Sequence, residues 1–158
     1  APALSVKAHP VRVAEVPPGT AVGYAGTWTA GRVSIIATLP IGYADGWSRS
    51  SSPGTKVLVE GERAPLVGRV SSDALTVDVT GIAGVGLDSE FTLLGSDGGD
   101  EITADAVAHA RHTISWEVLQ QLGARLARVY TSNSAPNAIR PESTIAITTA
   151  PGASIPRY

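Results

Sequence analysis

The sequence predicts a mainly β domain, and three observations support this fold class. Glycine and proline occupy 17 and 11 of the 158 positions, so turns are frequent. Charged residues make up only 16% of the chain, which leaves little material for the solvated faces of long helices. Short runs of branched apolar residues recur between Gly, Pro and Ser. This spacing favours a closed or partly open β-barrel of Greek-key type with one or two short helices.

Alternating apolar and polar side chains predict the strands, because successive side chains of a strand point to opposite faces. Residues 4–8 alternate in this way, and the pattern resumes at 11–13 after Pro10, which cannot donate to a ladder and predicts a bend. The run 33–39 is the most strand-like, and we expect it to be buried on both faces. Gly61 can take the positive φ of a tight hairpin turn. The remaining predictions are a strand through Val22 and Tyr24, a hairpin over 56–70, and strands over 75–79, 91–94, 125–130 and 144–149.

Helix signals are confined to residues 103–123. Thr103 and Ser115 are residue types that cap helix N-termini, and each precedes a helix-forming run. Gly123 is of the type that ends a helix at its C-terminus. We therefore predict two short helices between the last two predicted strands of the domain.

The length and the change of composition near the C-terminus predict the domain organisation. The 158 residues are on the scale of one domain, which is on the order of 100–200 residues. Ser, Thr, Ala, Pro and Asn dominate after residue 130. We expect residues 1–130 to form the β domain and residues 131–158 to form a loosely ordered tail with at most one late strand.

The composition disfavours several classes of function. Cysteine is absent, so disulfides, thiolate metal sites and a cysteine nucleophile are excluded. A net charge of −2 gives no electrostatic case for binding nucleic acid or an acidic membrane, and no apolar run approaches the roughly 18 residues of a membrane span. His109 and His112 lack a third ligand at suitable spacing, so no metal site is expected.

Two loop segments hold the most informative polar residues. Segment 40–49 places Tyr43 and Asp45 between glycines directly after the strongest predicted strand, where a rigid scaffold can present side chains to a cleft. An ordinary tight turn with a packed aromatic ring has the same pattern. In segment 67–73, hydroxyls and a carboxylate meet at a second strand junction, and a capped bend is the alternative there.

These two segments resemble the C-terminal domain of alanine racemases. That family carries the stretch P-I-G-Y-A-D-G-x-x-R, here Pro40 to Arg49, and then G-R-V-(C/S)-M-D with a following V-D-V-T strand, here 68–80. The resemblance implies an enzyme of fold-type III that depends on pyridoxal phosphate (PLP), with an N-terminal (β/α)₈ barrel that holds the cofactor on a lysine. This chain resembles the second domain only, because such a barrel needs roughly 200 residues or more. Its two lysines, Lys7 and Lys56, match no cofactor motif.

The resemblance also implies roles for individual residues. Racemisation needs two bases that face each other across the cofactor, and Tyr43 matches the family's tyrosine base, which reaches the active site of the partner in a head-to-tail homodimer. Ser72 stands where the family has Met, and its backbone N–H would contact the substrate carboxylate. Arg69 and Asp73 match residues of the substrate access corridor, with a structural ion pair as the alternative. The residues expected to support the site are Asp45 and Arg125.

The implied activity is the interconversion of L- and D-alanine for cell-wall precursor supply by a cytoplasmic enzyme. The implied partners are the missing PLP-binding barrel domain, a homodimer partner and a small amino-acid substrate. The isolated chain is expected to bind no PLP and to be inactive. Ser72 in place of Met leaves serine or another amino acid as an alternative substrate. A non-catalytic β-barrel interaction module is the alternative from a different class.

Overall fold

Residues 4–51 and 54–130, together with the backbone of 146–149, are described by a computed structural model. They form a mainly β fold with two short helices, which confirms that part of the prediction. The described residues contain no helix that is both long enough and apolar enough to span a membrane. The strands are β1 (Leu4–Ala8), β2 (Arg12–Val16), β3 (Ala21–Val22), β4 (Trp28–Thr29), β5 (Ser34–Leu39), β6 (Lys56–Val59), β7 (Glu62–Val67), β8 (Leu75–Asp78), β9 (Phe91–Asp97), β10 (Asp100–Ile102), β11 (Ala127–Tyr130) and β12 (Ala146–Thr149), and the helices are α1 (Ala104–Arg111) and α2 (Ser115–Gln120).

One large sheet organises the fold. Its strands are hydrogen-bonded in the order β11-β12-β1-β9-β6-β7-β8-β5-β2, with β10 paired to β9, while β3 and β4 form a separate ribbon. Neighbouring strands are antiparallel except for β11 and β12, which are parallel. Closing a barrel requires the first and last strands to pair. Over the described strands, β2 and β11 do not pair, so the predicted Greek-key barrel is not confirmed.

The hydrophobic core lies along the central strands of this sheet and beneath the helices. The burial of β5 confirms the expectation for the strongest predicted strand, because four of its six residues are buried and the other two are only partly exposed. Each large apolar side chain that is fully buried contributes about 1.5–3 kcal/mol relative to its exposed state. The largest such side chains include Val6, Leu39, Ile41, Trp47, Val57, Leu58, Val59, Leu75, Val77, Phe91 and Leu93.

Two local predictions are confirmed. Gly61 has a φ of 76°, and with Glu60 at 51° it forms the tight turn that joins β6 to β7. The Thr103 hydroxyl accepts a hydrogen bond of 3.1 Å from the backbone N–H of Ala106, which caps α1. Both features depend on residues that are neighbours in the sequence.

Two others are wrong. Ser115 is the first residue of α2 and not its cap; the Thr113 hydroxyl hydrogen-bonds to the Glu117 carboxylate across that first turn. Tyr24 does not continue a strand, because β3 ends at Val22 and Tyr24 starts a 3₁₀ turn. The chain turns at Gly23, where a Cβ would lie 2.6 Å from the Cα of Gly68.

Candidate functional site

Tyr43 begins a 3₁₀ turn, Tyr43–Asp45, shortly after β5. The turn is closed by its own acidic residue: the Asp45 N–H donates to the Gly42 carbonyl at 3.0 Å, and the Gly42 N–H donates to Asp45 Oδ2 at 3.0 Å. Asp45 is 1% exposed, whereas Tyr43 is 46% exposed. The buried carboxylate therefore fixes the turn, and the phenol projects from it toward solvent.

The turn is hydrogen-bonded to the second informative segment. Tyr43 N–H donates to the Ser71 carbonyl at 3.0 Å, and Ala44 N–H donates to the Ser72 carbonyl at 2.9 Å. Gly42 makes this approach possible, because a Cβ on it would lie 2.4 Å from the Ser71 oxygen. The structure thus brings together two segments that the sequence separates by more than twenty residues. Ser72 is exposed, and its own N–H makes no hydrogen bond within the described residues.

Arg69 and Asp73 are both exposed beside this contact. Asp73 Oδ1 accepts hydrogen bonds from the Ser71 and Ser72 hydroxyls, each at 3.2 Å. Over residues 4–51 and 54–130 there is no ion pair between Arg69 and Asp73. The Asp73 carboxylate therefore orders its own loop, and the Arg69 side chain is left without a carboxylate partner there.

Asp45 and Arg125 meet although they are far apart in the sequence. Arg125 Nε lies 3.3 Å from Asp45 Oδ1, with a geometry that makes an ion pair but no hydrogen bond. The Gly123 N–H donates to the Asp45 carbonyl at 2.9 Å. Gly123 does not end α2 as predicted, since that helix ends at Gln120. The segment after α2 instead covers the inner side of the Tyr43 turn.

A second arginine packs against the loop from α1, and no sequence pattern predicted this contact. Arg111 lies with its guanidinium carbon 4.4 Å from the centroid of the fully buried Trp47 ring, and its Nε donates to the Ser51 hydroxyl at 2.8 Å. Its other two nitrogens are buried and have no hydrogen-bond partner among residues 4–51 and 54–130. Burial lowers the pKa of Arg111 to about 10, and the charge of Glu117 opposes this.

An open hollow of about 380 Å³ lies beside the phenol, and we call it the Tyr43 hollow. Its lining residues are Tyr43, Gly46, Ser48, Arg49 and Gln121. The guanidinium carbon of Arg49 lies 5.7 Å from the Tyr43 ring centroid and 5.4 Å from that of Tyr24. Arg49 belongs to the first sequence motif, whereas no sequence pattern marks Tyr24 or Gln121 as a residue of this site. Their proximity arises from packing between distant parts of the chain.

Comparison with known proteins settles the family. Residues 3–130 match the family described as alanine racemase, C-terminal domain. The chain belongs to this family. It is 41% identical over 129 residues to an alanine racemase of Thermodesulfovibrio yellowstonii, covering 82% of this chain and 36% of that protein. It is 45% identical over 129 residues to an alanine racemase of Streptococcus thermophilus, covering 82% of this chain and 34% of that protein.

Solved alanine racemases share this fold. The structure from Bacillus anthracis with bound L-Ala-P superposes with a TM-score of 0.78 at 34% identity, over 83% of this chain and 33% of that one. The structure from Bartonella henselae with covalently bound pyridoxal phosphate gives 0.73 at 31% identity, over 80% of this chain and 34% of that one. The chain therefore spans about a third of the length of the family members it matches.

The lysines of this chain do not fit a covalent PLP site at the Tyr43 hollow. Lys7 forms an ion pair with Glu90 at 2.5 Å, and Lys56 is the exposed first residue of β6. Neither lines the hollow. The part of the chain that the structure describes also contains no group of three His, Asp or Glu side chains placed to hold a metal ion.

Proposed function

We propose that this chain is the C-terminal domain of a cytoplasmic, PLP-dependent alanine racemase and that it contributes Tyr43 as one of two proton-transferring groups. The observation that supports this proposal best is the half-exposed phenol on a turn hydrogen-bonded both to the second motif segment and to the residues after α2. Groups that transfer protons must be held within hydrogen-bond reach of the reacting atom. A turn fixed on two sides meets that requirement better than a free loop.

The division of labour follows from the chemistry of racemisation. One group must remove the α-proton from one face of the amino acid, and another must deliver a proton to the opposite face. Tyr43 Oη serves one face, and the lysine of the barrel domain serves the other. PLP, held by that domain, supplies the electron sink. Tyr43 then acts across an interface, which requires a homodimer partner or an equivalent arrangement of the two polypeptides.

The second segment binds and admits the substrate in this proposal. The exposed Ser72 N–H, which has no partner in the described residues, donates to the substrate carboxylate. Arg69 and Asp73 line the access route beside it. Asp45 and Arg125 act indirectly, because they hold the turn that presents Tyr43.

Ser72 favours a second candidate substrate. Its short polar side chain is exposed where the family has Met, and it donates to Asp73. A smaller and more polar wall admits a hydroxylated side chain such as that of serine. We therefore include serine beside alanine in the test, and Ser72→Met is the variant expected to shift the preference toward alanine.

The test supplies the missing part in trans. The 158-residue chain is mixed with the PLP-loaded N-terminal part of the Thermodesulfovibrio yellowstonii alanine racemase, and conversion of L- to D-alanine is measured. We expect racemisation that Tyr43→Phe reduces by about 10²–10⁴-fold, the usual contribution of a proton-transferring side chain. Tyr130→Phe is the matched control, because it removes the same hydroxyl from an exposed tyrosine on β11 that does not line the hollow.

Each outcome decides between the candidates. Full activity of Tyr43→Phe would remove the base role from this residue. A complex that forms but racemises neither alanine nor serine, while an intact racemase is active in the same assay, would favour the non-catalytic interaction module.

A further inference from the structure

We propose that the facing backbones of β1 and β11 form a binding site for one extended peptide segment, and that residues 146–149 of this chain dock there as its ligand. We call this site the strand slot. Its occupancy holds β11, and with it the residues behind the Tyr43 turn. The inference rests on the proposed function only for its consequence at Tyr43, because the docking itself depends on backbone pairing within this chain.

The strand in the slot, β12, is paired along its whole length on both sides. Its four residues face residues 4–7 of β1 in antiparallel register and residues 127–130 of β11 in parallel register. Successive residues of a strand direct their backbone N–H and C=O groups alternately to the two neighbouring strands, so β12 satisfies groups of both. Among the described strands, β11 has no other pairing partner. It therefore joins the sheet through β12.

Side-chain burial contributes little to holding β11 in place. Ala127, Arg128 and Tyr130 are exposed, and Val129 is only partly buried. Leu126, directly before the strand, is buried in the core. Because burial of apolar surface is the main favourable contribution to folding, a strand that buries so little depends on its backbone hydrogen bonds. The position of β11 is therefore sensitive to whether the strand slot is filled.

The segment that fills the slot lies beyond the part of the chain that matches the family. That match ends at residue 130, and residues 131–145 separate β11 from β12. The parallel register places Ala146 beside Ala127, so the connection must return by the length of one short strand, about 10–13 Å. A connection of this length covers that distance easily, since an extended chain spans about 3.3 Å per residue. Residues 146–149 can therefore dock and leave without rearrangement of the family domain.

The slot is directly connected to the residues that support Tyr43. The Gly123 N–H donates to the Asp45 carbonyl at 2.9 Å, and Arg125 Nε lies 3.3 Å from Asp45 Oδ1. Asp45 in turn closes the Tyr43 turn. Because β11 begins two residues after Arg125, release of β11 would free the segment that makes these contacts. Docking of β12 therefore keeps the Tyr43 turn in place.

Hydrogen exchange of the full chain, followed by nuclear magnetic resonance, tests the inference. In the wild type we expect protected amides in residues 146–149 and in β11. Ile147→Pro removes a backbone N–H and cannot be accommodated between two paired strands, so it should empty the slot. The amides of β11 and of Gly123 should then exchange about tenfold faster or more. Ile147→Val is the matched control, because it keeps the N–H and a β-branched side chain.

A synthetic peptide of residues 143–152 tests binding in trans. Added to the Ile147→Pro chain, it should restore slow exchange of the β11 and Gly123 amides in a saturable way, whereas the same peptide with Ile147→Pro should not. In the wild-type chain the tethered strand has an effective concentration on the order of millimolar, so micromolar peptide should change nothing. Val79 donates its N–H to the Ile35 carbonyl at 2.9 Å in the other half of the sheet, and its exchange reports global unfolding.

Four results would overturn the inference: unprotected amides at residues 146–149 in the wild type, equal exchange in Ile147→Pro and Ile147→Val, no rescue by the peptide, or sedimentation as a dimer, which would place the segment in the slot of a second copy. If faster exchange at Val79 shows that Ile147→Pro unfolds the chain, Thr149→Pro at the end of the strand takes its place. Racemisation in the trans assay without protection of residues 146–149 would refute only this inference, and protection without racemisation would refute only the proposed activity.

Discussion

Gly42→Ala tests whether the close contact between the two motif segments stabilises the fold. The backbone of Gly42 is extended, with φ −144° and ψ −163°, so alanine is allowed there and any cost comes from contacts. An added Cβ would lie 2.4 Å from the Ser71 oxygen, 2.5 Å from the Asp73 nitrogen and 2.5 Å from the Ser72 carbonyl carbon. All three are backbone atoms that cannot move aside as a flexible side chain would.

The expected cost is the sum of a packing and a hydrogen-bond contribution. Overpacking of this kind costs about 1–3 kcal/mol. Separating the segments also lengthens the 3.0 Å and 2.9 Å bonds from Tyr43 and Ala44, each of which contributes about 1 kcal/mol. The free energy of unfolding should therefore fall by about 3–5 kcal/mol. For a chain of 158 residues this lowers Tm by about 10 °C or more.

Thermal unfolding followed by circular dichroism measures the effect, with urea unfolding as a second measurement. Gly31→Ala is the matched control, because nothing lies within 4 Å of its added Cβ and its φ is outside the left-handed region. Such a replacement usually leaves stability unchanged or raises it by about 0.4–1 kcal/mol. A Tm for Gly42→Ala close to that of Gly31→Ala would refute the inferred contact between the segments.

Substitutions at two further positions test the groups behind the Tyr43 turn. Arg111→Met should stay within about 1 kcal/mol of the wild type, because the burial penalty of about 3 kcal/mol that corresponds to its lowered pKa offsets the lost Trp47 and Ser51 contacts. Arg111→Ala should cost about 2–3 kcal/mol more, because it leaves a cavity. The burial penalty of the charged Arg111 guanidinium in the wild type applies in full below about pH 10. It is relieved above that pH, because the folded chain then releases the Arg111 proton before the unfolded chain does. The wild-type chain should therefore gain stability relative to Arg111→Met above pH 10. Equal urea midpoints for Arg111→Met and Arg111→Ala would contradict the expected difference in stability between these two variants. Asp45→Asn should cost about 1–2 kcal/mol less than Asp45→Ala, because Asn keeps an oxygen for the Gly42 N–H, and equal losses would show that this bond is not what stabilises the turn.

Local features could be predicted because their causes lie within a few residues. The turn at Gly61 needs a positive φ, which glycine adopts without strain. The cap of α1 needs a hydroxyl that accepts a hydrogen bond from the backbone N–H three residues later, and Thr103 supplies it. Ser115 shows the limit of this reasoning. It satisfied the same residue preference, but a hydrogen bond from Thr113 to Glu117 spans the first turn of α2 instead.

The sequence by itself determined the β class, most of the strands and the two segments that carry the candidate site. The patterns that predict them, which are alternating apolar and polar side chains, turn residues and short motifs, each involve residues that are close together in the sequence. The tertiary structure decided what surrounds Tyr43. Arg125 reaches Asp45 across eighty positions, and Arg49 comes to lie against Tyr24. Contacts of this kind depend on which strands become neighbours and how their loops pack. The pattern of residues along the chain does not predict these contacts. The free energy that favours them arises from burial and close packing between segments that are distant in the sequence.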